Sequence, residues 1–172
     1  MAQSPGFDIS RVSTATKVLG GGALLFIIAL FFPWEKVTGC GDVPSGLGAF
    51  CNVNGANGVG VLALILAVGV LAEAVMRALG VRMGTIPQKT MDLISAGLAA
   101  GAVLFGLIRL LIALTRAGFS PAIIGILLGV IGMLALAYGG YMRWTESKMA
   151  PGVPPAPPPP GAAPPPTGGF TG

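Results

Sequence analysis

Four apolar runs, nearly free of charge and about as long as a bilayer is thick, constrain this chain more than any other feature. Residues 59–79, 93–114 and 121–142 form runs of 21, 22 and 22 residues. A hydrocarbon core of about 30 Å takes roughly 20 helical residues at about 1.5 Å each. The first run, residues 18–32, has only 15 residues. It reaches bilayer length when extended from Ser13 to Trp34, with Lys17 snorkelling to the headgroups. Backbone polar groups in lipid must pair within their own segment, so all four runs are expected to be helices. The composition agrees. Apolar residues make up 53% and charged residues 9% of 172, against about 25% charged in soluble domains.

The expected architecture is an all-α membrane protein, a four-transmembrane-helix bundle with a disordered Pro-rich C-terminal tail. Its parts are an N-terminal segment over 1–12, a bundle over 13–148 and the tail over 149–172. The helices are expected at about 13–34, 59–79, 88–115 and 121–144, with an outer loop over 35–58. Pro33 should end the first helix, Ser120 and Pro121 should cap and open the fourth, and Gly118 suits the end of the third. The short link between the third and fourth helices makes them antiparallel neighbours. The tail holds ten of the fifteen prolines and no charge. Proline removes donors and fixes φ, so an extended, polyproline-rich segment is expected there.

Lys and Arg in the short flanks set the orientation. With the N-terminus inside, Arg11, Lys17, Arg77, Arg82, Lys89, Arg143 and Lys148 face the cytoplasm, against Lys36 and Arg116, and Arg109 if it reaches outward. A cell (inner) membrane protein with both termini cytoplasmic is therefore expected. Trp34 on one side and Tyr138, Tyr141 and Trp144 on the other would form the interfacial aromatic belts.

The tetrad VTGC ending at Cys40 looks like a lipoprotein cleavage box. The charges of Glu35 and Lys36 lie five and four residues before the cysteine, where such a box needs an apolar approach. Cys51 offers a different partner across a turn-rich stretch in a compartment that permits disulfides. A Cys40–Cys51 disulfide is the expectation, restricting the loop by roughly 3 kcal/mol in the chain-entropy model. Two thiols without any histidine in the chain make a poor metal site.

Inside the apolar runs, Glu73, Arg77 and Arg109 are the ionisable residues. Intramembrane charges are functional candidates by default. Glu73 and Arg77 stand at i and i+4, the favourable order for a helical pair. Glu73 and Arg109 lie toward opposite surfaces, so both are expected to snorkel rather than to meet. Small residues recur at helical spacing: Gly97 and Gly101 in the third helix, Gly125, Gly129 and Gly132 in the fourth. Close backbone approach through such stripes packs helices in lipid, either within one bundle or in a homo-oligomer.

Catalytic patterns are missing. There is no histidine, no paired carboxylates, no phosphate-cradling glycine loop and no nucleophile beside a base. The net charge of +4 is scattered singly, which does not suit nucleic acid. No internal repeat is visible, which weakens an inverted-repeat transporter. No cofactor is expected.

The residues ALFFPW at 29–34, the cysteine loop and the tail from Pro151 resemble small four-helix membrane proteins of actinobacteria with Pro/Gly-rich tails. The resemblance implies an envelope-associated protein without catalytic activity. The layout is also similar to claudin-type four-helix proteins, which carry tryptophan and two cysteines in the first outer loop. Here GLG at 46–48 stands between the cysteines and a second tryptophan is lacking, so only the architecture is shared. The expected function is a non-enzymatic accessory or interaction protein whose partners are the lipid bilayer and an unidentified membrane or envelope protein. The alternative is a small transporter or channel subunit with a polar path at Glu73 or Arg109.

Overall fold

The computed structural model describes residues 12–38, 52–81 and 87–149. The expected Cys40–Cys51 disulfide, the N-terminal segment before residue 12 and the proline-rich tail beyond Met149 lie outside them.

Among the described residues, four helices carry the fold: α1 (Thr14–Phe31), α2 (Gly60–Ala78), α3 (Gln88–Thr115) and α4 (Ile123–Met149). All four are long and apolar enough to cross a membrane. They run up and down in sequence order, and each packs against its chain neighbours, with α4 closing the ring on α1. The α1–α4 contact is the most extensive.

Helix ends follow local chemistry. Ser13 caps α1, its hydroxyl accepting from the Thr16 amide at 3.3 Å. The helix stops at Phe31, three residues short of the expected end, because Phe32 precedes Pro33. A residue before proline is driven out of the α region, and Phe32 is extended at φ −74°, ψ 156°. At the other end of α2, Gly80 takes φ +68°. Its amide reaches Arg77 O and that of Val81 reaches Met76 O, both at 3.0 Å, a Schellman closure.

Where an outer loop was expected, the described residues form a small antiparallel sheet. Strand β1 (Pro33–Val37) lies between β2 (Asn52–Asn54) and β3 (Phe119–Pro121). Glu35 stands opposite Val53 on one side and Pro121 on the other. This corrects the start of the fourth helix. Ser120 and Pro121 pair as a strand, and α4 begins only at Ile123. The pull is the bond from the Ala122 amide to Trp34 O at 2.9 Å. Gly118, at φ +79°, makes the turn into β3. α4 also runs past the expected Trp144 to Met149.

The sheet also closes the C-terminus of α1, whose last carbonyls would otherwise lack partners. Ala56 N donates to Leu30 O at 2.9 Å and Gly55 N to Phe32 O at 3.3 Å. The Trp34 indole donates to Ala29 O at 2.9 Å.

The core between the helices is Leu19, Ala23, Phe26, Leu30, Ala63, Ala67, Val70, Met133 and Leu136, with Trp34 at the sheet end. The outward faces carry large exposed apolar side chains on every helix, such as Leu24, Ile65, Leu104, Leu111, Leu127 and Leu134. A surface of that kind suits lipid as its solvent.

Candidate functional site

Among the described residues, the buried charges form two clusters, one at each end of the bundle. The first lies at the sheet end. Glu35 of β1 is 0% exposed, and its carboxylate accepts from the Arg109 guanidinium of α3. Arg109, 3% exposed, also donates to Asn54 O of β2 at 3.2 Å. The outer Arg116 reaches the second oxygen of Glu35 at 3.5 Å and stacks its guanidinium 4.3 Å from the Phe119 ring centroid. One carboxylate thus ties the sheet to α3.

The second cluster lies at the opposite end, where α1 begins and α4 ends. Arg77 pairs with Glu73 one turn back on α2 and with Asp92 of α3 at 2.8 Å. The same Asp92 oxygen accepts from Arg143 of α4 at 3.2 Å. Arg143 also donates to the Thr16 hydroxyl of α1 and lies 3.4 Å from Glu146. All four helices are therefore joined through one connected polar group. Glu73, Asp92, Arg143 and Thr16 are all buried. Breaking a buried pair by removing one partner typically costs about 3–5 kcal/mol, because the other charge stays buried alone.

These geometries correct three expectations. Arg109 does not snorkel outward, because Glu35 folds inward to meet it. Glu73 is turned into the bundle with Arg77 rather than toward a headgroup. Trp34 is not an interfacial belt residue: it is 0% exposed, wedged against α4. Tyr138, Tyr141 and Trp144 are placed on the outer face of α4, exposed by 59%, 59% and 42%.

The glycine stripe of α4 receives α1 and Trp34. A Cβ on Gly125 would strike Pro33 O, and one on Gly129 would strike the Trp34 ring. One on Gly132 would lie 2.8 Å from Phe26 Cα. In α3, Gly101 faces Leu66, whereas a Cβ on Gly97 would meet nothing within 4 Å. The α4 stripe is therefore spent inside the monomer, and Gly97 is open.

Sequence reasoning passed over Glu35, Asp92 and Arg143. Glu35 and Asp92 stand at the edges of apolar runs, and Arg143 lies in the flank of the last one. The available signal was a lone acid beside an apolar run, which finds its partner only in three dimensions.

Among the described residues, no group of three or more His, Cys, Asp or Glu could hold a metal ion. Among the described residues, apolar packing lies between the two clusters. Arg109 stands seventeen positions after Asp92 on α3, about 25 Å along the helix, and the apolar core fills that interval. No family model matches this chain, and neither the curated proteins nor the solved structures compared with it give a match.

Proposed function

We propose that this chain is a non-enzymatic accessory or interaction protein of the bacterial cell envelope. It sits in the inner membrane with both termini cytoplasmic, and its outer loop and tail serve as the binding surfaces. The observation that carries this reading is the locked bundle. Each buried charge cluster ties helices or the sheet together, and about 25 Å of apolar packing lies between the two. Such a bundle favours an anchor and disfavours a conduit through the monomer.

Crosslinking followed by mass spectrometry in the native membrane tests the reading directly. A reproducible protein partner, lost on truncation after Met149 or on loop replacement, supports it. Reconstitution in liposomes tests the transporter alternative. Selective solute flux that disappears in Glu73→Gln or Arg109→Gln would overturn the accessory reading.

A further inference from the structure

A shallow groove of about 390 Å³ opens on the surface between α3 and α4, at the end where α3 begins and α4 ends. Its lining is Leu93, Ala96, Gly97, Gly140, Tyr141 and Trp144. Two glycines make the depression. Gly97 has open space where its Cβ would be, and Gly140 lies buried against Ala99. The walls are apolar and aromatic, with the Tyr141 and Trp144 rings 6.3 Å apart and tilted by 41°. None of the lining residues is charged.

The rim toward the end of the bundle is cationic. Lys148 places its ammonium 3.6 Å from the centroid of the Trp144 ring, directly above one wall. Lys89 stands one turn before Leu93 on α3, on the same face of that helix, and is exposed. The one carboxylate of this stretch of α4, Glu146, is held toward Arg143 at 3.4 Å. Among the described residues, neither Lys148 nor Lys89 forms an ion pair with a carboxylate. From Lys148 to Gly140 is eight residues, about 12 Å along the helix. That depth approaches one leaflet's half of a roughly 30 Å hydrocarbon core.

We infer that this groove is a binding site for one anionic phospholipid of the leaflet on the side of the termini. An acyl chain lies over Gly97 and Gly140 between Leu93 and the aromatic pair, and the phosphate sits between Lys148 and Lys89. The inference rests on the bundle spanning the membrane, and it does not depend on the accessory role. Apolar depth, an aromatic wall and two lysines without ion-pair partners at the mouth together match an amphiphile whose head is negative. A helix from a second copy would fill the apolar part but would leave the lysines unmatched.

The test uses quenching of tryptophan fluorescence in the full chain by phospholipids brominated on their acyl chains. Trp34 is enclosed at the opposite end of the bundle, so Trp144 is the reporter. Brominated phosphatidylglycerol should quench more strongly than brominated phosphatidylcholine at equal mole fraction. Lys148→Gln should reduce that preference about fivefold, as expected for one basic residue near the surface. Gly97→Leu fills open space and should fold normally while weakening quenching by both lipids. Equal quenching by the two lipids, unaffected by Gly97→Leu, would mean only non-selective surrounding lipid and would overturn the proposal. So would a dimer that crosslinks through this face and shields Trp144 from either lipid. Failure here would leave the partner crosslinking result untouched, so the two readings can fall separately.

Discussion

Arg109→Met is the most informative perturbation of this fold. The substitution keeps a long side chain in the space and removes the charge. It leaves Glu35, 0% exposed, without its main partner. It also deletes the bond to Asn54 O, which joins α3 to β2. Loss of one member of a buried pair costs about 3–5 kcal/mol. Arg116 stays 3.5 Å from the other carboxylate oxygen, but its side chain is 51% exposed and therefore screened. Its compensation should be no more than about 1 kcal/mol. The net expectation is a loss of about 2–4 kcal/mol. Glu35→Leu alone should cost a similar amount, because it strands Arg109. The double variant replaces the pair with apolar volume and should be no less stable than either single. Reversible unfolding in mixed micelles with rising dodecyl sulfate, followed by far-ultraviolet circular dichroism, measures all three. A loss below about 1 kcal/mol for Arg109→Met, or a double variant equal to the sum of the singles, would refute the paired geometry.

Four further outcomes follow from particular contacts. Asp92→Asn weakens both Arg77 and Arg143 at once; it should destabilise the bundle by about 2–4 kcal/mol and raise hydrogen exchange at the start of α3. Gly125→Ala and Gly129→Ala drive a methyl into Pro33 and Trp34 and should each cost about 1–3 kcal/mol in the same unfolding assay. Gly97→Ala meets open space and should be neutral or stabilising by up to about 1 kcal/mol. Trp34→Phe removes the indole bond to Ala29 O and part of the core, for a loss of about 1–3 kcal/mol; it should also remove the more blue-shifted, lipid-insensitive part of the fluorescence.

The helices were legible in the sequence because hydropathy and end signals are local. Runs of 21 or 22 apolar residues need no knowledge of neighbours to be recognised as spans. The residue before Pro33 was a readable stop for α1, although the expected helix overran it to Trp34. The sheet was not legible. Its strands are three to five residues long and its outer two lie at distant points in the chain, so no alternation could develop. Ser120 and Pro121 also carry the chemistry of a helix start, and only pairing with β1 overrides it.

By itself the sequence determined what kind of solvent this chain needs, how many times it can cross a bilayer and where each crossing begins and ends within a few residues. Those properties depend on neighbours along the chain. The tertiary structure decided the fate of the charges. Glu35 and Arg109 are 74 positions apart, and Asp92 and Arg143 are 51 apart. A charge beside an apolar run has two ways to avoid lipid: it can reach water or it can find an opposite charge. Only the packing of the helices determines which partner lies within reach, and here it brought Glu35, Arg109, Asp92 and Arg143 inward.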